Sequence, residues 1–322
     1  MKTPTQISRI HRNLGALAAL CLPVLPAAAV ILVQTDFDTG YTTGSIHGQS
    51  GTTDTGLSGT WTVAQGTDSG TPATYQKDLG NFTIVNGGLS YSVSGGGIIN
   101  GGSNALQYTY GTASSANNGA YVSLGSNINS DIYVRFLLNV PTPAALSSAS
   151  LFLWLSNASG SNHLAAHPGA GIYTTGLAAG LAAQAYQNSD SAINSRTESY
   201  PVTATTTYLV VAKISKVGDS VTKYNSASIW VNPAYGDAST PDSSVTGTGT
   251  NITSINTIGF QFQNMTSTGS PEYLIDGLVI GTTWADVMPA PVPEPSTCAA
   301  LAGLAALALT LIRRRKRRSS EL

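Results

Sequence analysis

Carboxylates and imidazoles decide whether this chain has the groups for acid–base or metal chemistry. Between residues 30 and 288 there are only two glutamates, Glu198 and Glu272. Cleaving a glycosidic bond takes two carboxyl groups about 5–9.5 Å apart, one to protonate the leaving oxygen and one to attack or to activate water. Glu272 and Asp276 fall on one face of a strand, but four residues at about 3.3 Å each separate them by about 13 Å. Asp36 and Asp38 are nearer, and sit where a first strand meets loop. They read as strand-end carboxylates. No Gly-x-Ser-x-Gly elbow occurs to expose a nucleophilic serine. His163 and His167 have the i,i+4 spacing that a helix turns into a metal pair. Their context, Ser-Asn-His-Leu-Ala-Ala-His-Pro-Gly, is a poor helix and supplies no glutamate, so they read as loop or surface histidines. Gly95-Gly96-Gly97 lacks the rest of a phosphate-binding fingerprint and reads as flexible loop. No catalytic residue is expected.

The elements that would position a site are strands. Val30–Phe37 opens the series. Phe82–Val85 and Leu89–Val93 flank Asn86-Gly87-Gly88, which predicts a hairpin. Gly95–Gly102 reads as a glycine loop. Ala105–Tyr110, Ala120–Leu124 and Asp131–Val140 follow. Leu151–Leu155 is continuously apolar, which predicts a strand buried on both faces. The alanine-rich 176–187 stretch is open between helix and strand. Tyr208–Ile214, Ser226–Val231, Ile255–Gln263 and Tyr273–Ile280 complete the set. A dozen short strands between Gly, Ser and Thr turns predict an all-β sandwich or jelly roll. Trp154 and Trp230 lie in apolar strands and read as core; burial is also the default for Trp61 and Trp284.

Both ends read as addresses. Lys2, Arg9 and Arg12 precede an apolar run from Leu14 to Leu25, and Ala27-Ala28-Ala29 supplies the small residues that signal peptidase reads. Residues 1–29 are therefore a signal peptide, and Val30 is the expected mature start. At the other end, Pro293-Glu294-Pro295 precedes 15 residues without charge, Cys298–Ile312, and then Arg313, Arg314, Arg315, Lys316, Arg317 and Arg318. As a helix that run spans roughly 22 Å, short of a bilayer's roughly 30 Å hydrocarbon core. The cationic block is a stop signal that stays in the cytoplasm. The reading is a weak transmembrane helix over 298–312 with a basic tail over 313–318.

The two cysteines, Cys21 and Cys298, both lie in these end segments, so the body over 30–288 has no disulfide and is held by its core. The body carries six Lys/Arg against 14 Asp/Glu, a net charge of −8. That excludes an electrostatic footprint for nucleic acid and suits solubility outside the cell.

The order Pro-Glu-Pro, short apolar helix, basic block over 289–318 resembles the PEP-CTERM sorting signal of Gram-negative bacteria. The resemblance implies export, temporary anchoring in the inner membrane, cleavage by the membrane protease exosortase, and a final place at the cell surface or in the extracellular matrix. A second resemblance spans most of the body. Phe37-Asp38-Thr39-Gly40, Gly59-Thr60-Trp61, Ile229-Trp230-Val231-Asn232-Pro233 and Ile275-Asp276-Gly277-Leu278-Val279-Ile280 resemble the concanavalin-A-like (laminin-G-like) jelly rolls. Gly277 stands where that family often has an acidic residue. The resemblance implies two curved antiparallel sheets and often a carbohydrate-facing role. Glycosidases on that fold use Glu-x-Asp-x-Glu, which is absent here. Sandwiches of that type often hold calcium, and Asp36, Asp38 and Asp276 would be its carboxylates if the first and last strands are neighbours. A turn contact by Asp276 is the competing reading.

The leading expectation is thus a non-catalytic exported surface or matrix protein associated with exopolysaccharide. The alternatives are a lectin-like module with a defined glycan site and a divergent glycoside hydrolase. The tail reading predicts that surface protein lacks 298–322, and that changing Pro293, Glu294 and Pro295 to alanine leaves full-length chain in the inner membrane. Mass spectrometry of the two pools checks this; an intact Arg/Lys tail at the surface, or normal processing of the triple variant, contradicts it.

Overall fold

The computed structural model describes residues 30–66, 81–109, 117–140, 150–157, 170–174, 181–185, 196–200, 203, 205–218, 221–246, 252–263, 272–290, 303–304, 306–308 and 310–314. The strands, in chain order, are β1 (Ile31–Thr35), β2 (Gly44–Ser45), β3 (Leu57–Gly66), β4 (Phe82–Asn86), β5 (Ser90–Ser92), β6 (Ile98–Asn100), β7 (Asn104–Thr109), β8 (Asn117–Ile128) and β9 (Ile132–Val140). They continue with β10 (Ser150–Ser156), β11 (Ala170–Thr174), β12 (Leu181–Ala185), β13 (Arg196–Tyr200), β14 (Thr206–Ser215), β15 (Ser226–Val231), β16 (Ser243–Thr246), β17 (Ile255–Gln263) and β18 (Glu272–Gly281). One short helix, α1 (Trp284–Val287), follows β18.

The protein is an all-β sandwich of two large antiparallel sheets. A nine-stranded sheet runs β16-β15-β14-β9-β18-β7-β4-β2, with β1 also paired to β18; a seven-stranded sheet runs β13-β12-β11-β10-β17-β8-β3. The period-2 alternation read from the sequence builds the core between them. Val134, Phe136 and Leu138 of β9 and Val210, Ala212 and Ile214 of β14 face Leu151, Leu153 and Leu155 of β10 and Ile258, Phe260 and Phe262 of β17 across one buried cluster. At its centre the Phe262 ring stacks on Tyr108 at 3.9 Å between centroids and touches Phe82 and Tyr273.

A second apolar cluster lies on the outer face of the nine-stranded sheet. Leu137, Leu209, Val211, Trp230 and Val279 are covered there by Leu89, Val93 and Ile99 and by Val287 and Met288. β9 and β14 are therefore buried on both faces. Trp230 is buried as expected, but in this outer layer. Trp61 belongs to the core between the sheets, and its ring N–H donates to the Tyr41 hydroxyl at 2.9 Å.

The expected hairpin of Phe82–Val85 with Leu89–Val93 does not form. β4 pairs with β7, and β5 pairs with β6 to make a small separate ribbon. The N–H groups of Gly87 and Gly88 donate to the Ser103 carbonyl, so the turn sends the chain off the sheet and across its outer face. The expected glycine loop contains β6, and the alanine-rich stretch holds the strand β12. At the C-terminus, residues 303–304, 306–308 and 310–314 are helical and exposed, with Leu304, Leu307, Leu311 and Ile312 facing outward. The Thr310 hydroxyl donates back to the Leu307 carbonyl, which hides the one polar side chain of the apolar run. Among the described residues no helix is long and apolar enough to cross a membrane.

Truncating Phe262 to alanine empties the point where four aromatic rings meet, and is expected to cost about 3–5 kcal/mol of stability. Urea unfolding of the exported protein checks this, and the transition midpoint should not respond to reductant. A loss under about 1 kcal/mol would mean that the rings do not share one rigid core.

Candidate functional site

Three places hold the candidate groups: a carboxylate junction on the nine-stranded sheet, the outer face of the seven-stranded sheet, and the C-terminal tail.

The junction exists because two strands share one edge of β18. β7 pairs with its first part, Glu272 to Ile275, and β1 with its last part, Leu278 to Gly281. Asp276 and Gly277 lie at the break, and Gly277 takes a φ of +56°, which bends the strand there. The Asp276 side chain is fully buried. Its two oxygens accept from the backbone N–H of Leu89 and of Gly277, each at 2.7 Å. Asp38 accepts from the N–H of Ser103 at 2.9 Å and of Asn104 at 2.7 Å. Asp36 accepts from the Asp38 N–H at 3.2 Å. A side chain at Gly101 would run into the Asp276 carboxylate, and one at Gly102 into that of Asp38. The segment after β6 therefore lies tightly on both acids. Phe37, between Asp36 and Asp38, has a φ of +56° and a fully buried ring. This unusual backbone sends the ring inward and lets the acids face the loop.

In this arrangement the three carboxylates Asp36, Asp38 and Asp276 each accept from backbone N–H donors. Among the described residues no group of three or more His, Cys, Asp and Glu stands close enough together to hold a metal ion. Glu272 is exposed while Asp276, on the same strand, is buried. His47 accepts the Val63 N–H on Nδ1 at 3.2 Å, a structural contact. His163 and His167 lie outside the described residues, as do Ala27, Ala29, Pro293, Glu294, Pro295, Arg315, Lys316, Arg317 and Arg318.

The face of the seven-stranded sheet away from the core is read from strand register; Ser156, Thr257 and Gln261 are buried there. Leu151, Leu153 and Leu155 face the core, which puts positions 152 and 154 on the other side of the sheet. Position 154 lies opposite the buried Gly259 of β17. Across the strands, Thr62, Tyr121, Gly259, Trp154, Gly171 and Gln184 form one transverse row. The next row runs Gly119, Gln261, Phe152, Tyr173 and Ala182. Four aromatic positions thus alternate with glycine and amide positions on one surface. Gln261 is only 6% exposed, and its amide nitrogen has no hydrogen-bond partner among the described residues. A buried amide donor left open costs about 1–3 kcal/mol, and sequence alone gives no sign of it.

Comparison with known proteins places the tail. The PEP-CTERM protein-sorting motif matches residues 291–317. No curated protein is significantly similar to this chain in sequence. Among solved structures it is similar to an endo-β-1,4-glucuronan lyase from the fungus Trichoderma reesei (16% identity, 71% of this chain and 98% of that one, TM-score 0.43). It is also similar to a β-1,3-glucanase from Mycobacterium marinum (11% identity, 79% and 100%, TM-score 0.43) and to a PL-14 alginate lyase from Aplysia kurodai (9% identity, 69% and 98%, TM-score 0.41). No residue role passes from these distant likenesses to this chain.

The junction makes a pH prediction. Burial pushes the Asp276 carboxyl up to about 8, the N–H groups of Leu89 and Gly277 pull it down, and Asp38 and Asp36 add to the rise. An unfolded aspartate titrates near 3.9, so between about pH 4 and pH 8 the folded chain keeps a proton here that the unfolded chain has lost. The stability contribution is full below pH of about 4 and is lost as pH rises through about 8. Urea midpoints of the exported protein should fall over that window, and Asp276→Asn should flatten the fall while lowering stability throughout. Equal pH slopes for the two proteins would contradict the assignment.

The tail identifies the chain's destination: it carries a PEP-CTERM protein-sorting motif, which marks it for exosortase processing, with transient membrane anchoring before a final location outside the cell or at its surface.

Proposed function

We propose that this is a non-catalytic exported protein whose sandwich associates with extracellular polysaccharide, and that the outer face of the seven-stranded sheet is the contact. The carrying observation is the pair of register rows through Tyr121, Trp154, Phe152 and Tyr173. Aromatic faces suit the apolar faces of sugar rings. Glycines at positions 119, 171 and 259 keep the rows low between the aromatic positions. The body's net charge of −8 favours an uncharged polysaccharide over a polyanion. The nine-stranded sheet offers less, because the β5–β6 ribbon and α1 cover its outer face.

Within this reading the chain is bounded as a signal peptide over 1–29, the sandwich over 30–288 and the sorting segment over 289–318, with 298–312 as its membrane helix. The signal peptide is removed by signal peptidase, and the Arg/Lys block after the helix stays in the cytoplasm until the tail is cut away.

Affinity electrophoresis of the exported protein in gels containing an uncharged β-glucan, or a polyanionic glycan for comparison, tests the proposal. The uncharged polymer should retard the wild type, and Tyr121→Ala or Trp154→Ala should weaken retardation about tenfold. Prolonged incubation should release no new reducing ends and no unsaturated sugars. Unchanged retardation of both variants would move the contact elsewhere, and released products would make the protein an enzyme.

A further inference from the structure

Val30 begins the folded body, and its backbone nitrogen lies 2.8 Å from Oδ1 of Asp286. The other oxygen of that carboxylate accepts from the N–H of Thr282 at 2.9 Å, the N–H of Thr283 at 2.8 Å and the Thr282 hydroxyl at 3.1 Å. Asp286 also closes the capping box of α1, its own N–H donating to the Thr283 hydroxyl at 3.3 Å. Against the upward push of slight burial, the donors from Val30, Thr283 and Thr282 hold its carboxyl below the usual carboxylate range. One acid thus joins the first residue of the body to its last helix.

The residue at the other end of this contact is the one that the Ala27-x-Ala29 pattern marks as the first after signal-peptide removal. We infer that processing creates the stronger form of this contact: an ion pair between the Val30 α-ammonium and the Asp286 carboxylate, present only in the mature chain. Hydrolysis of the Ala29–Val30 bond consumes one water; Ala29 leaves with the carboxylate, and Val30 keeps the amine, which takes a proton at neutral pH. A neutral amide with one N–H becomes a cation with three. A charge-assisted hydrogen bond is roughly twice as strong as a neutral one.

The place gives the pair its effect. β1 pairs with β18 along its length and bridges Thr55 only at Gln34, far from its first residue; Ile31 lies opposite Gly281, and Val30 and Ile31 are exposed. It is the strand that a leader held in the membrane would most easily peel away. The pair pins its free end against the turn from which the chain continues toward the sorting motif. Val30 and Asp286 thus meet at one pole of the sandwich, and removal of the leader closes that pole. The other charged groups on the elements packed here stand apart from the pair. Arg135 of β9 donates to the Val287 carbonyl at 2.8 Å, and Glu272 and Asp276 lie toward the start of β18.

The test compares exported wild type, its start verified by N-terminal sequencing, with a chain carrying Gly-Ser inserted between Ala29 and Val30, and with Asp286→Asn. An α-amine ordinarily titrates near 7.7–8.0. In the wild type it should titrate above that range, read by NMR or by the pH dependence of acetylation, and in both variants within it. The wild type should melt about 1–3 °C above the insertion variant at pH 7, and the difference should vanish by pH 10 as the ammonium is lost. If Asp286→Asn does not fold, because α1 loses its cap, the insertion variant carries the test alone. The inference is overturned by an α-amine that titrates alike in wild type and insertion variant, by a melting difference that persists at pH 10, or by a mature start other than Val30.

Discussion

The sandwich depends on one shared edge. β18 must serve β7 along its first half and β1 along its second, and no ladder bond spans the change from one to the other. The Asp276 carboxylate fills that break by taking the N–H of Leu89, which belongs to neither neighbour, and the N–H of its own successor. Asp38 does the same for Ser103 and Asn104 at the entry to β7. Buried N–H groups without partners are costly, and here side chains supply what the sheet does not. The cost is a carboxyl buried in an apolar setting, which its raised protonation range reflects. The same contacts dock the chain between β4 and β7 onto the outer face, and so create the second apolar layer.

That layer divides the labour between the two sheets. The nine-stranded sheet is apolar on both faces, covered outside by the β5–β6 ribbon and by α1. Arg135 reaches out of it to hold the end of α1. Its guanidinium is buried, and burial lowers it to about 10. The seven-stranded sheet carries its aromatic, amide and glycine rows at register positions on the side away from the core. Apart from both faces, Val30 meets Asp286 at one pole.

Much of this was legible in the sequence for physical reasons. Alternating β-branched and aromatic residues gave β9, β14, β15, β17 and β18 nearly to the residue, because one or both faces of each strand are buried. The tail was legible because apolar length, Pro-Glu-Pro and a cationic block each have a direct meaning at a membrane. Pairing was less so. Asn86-Gly87-Gly88 has the chemistry of a two-strand turn, but the partner of β4 is set by Asp38 and Asp276, acids 48 residues before and 190 after it in a chain of 322. Such long-range carboxylate contacts leave no local pattern. The Leu151–Leu155 run concealed which of its positions face the other sheet, since Phe152 and Trp154 are as apolar as the leucines between them. Gln261, one amide in a strand of apolar neighbours, becomes notable only when its open N–H is seen.

The most direct measurement of the central claim is hydroxyl-radical footprinting of the exported protein with and without an uncharged polysaccharide. Trp154, Tyr121 and Tyr173 report on the seven-stranded sheet, and the half-buried Tyr133 and Trp284 report on the covered one. Protection of the first three with no change at the last two is the predicted result. Protection confined to Tyr133 and Trp284, or none at all, would contradict it.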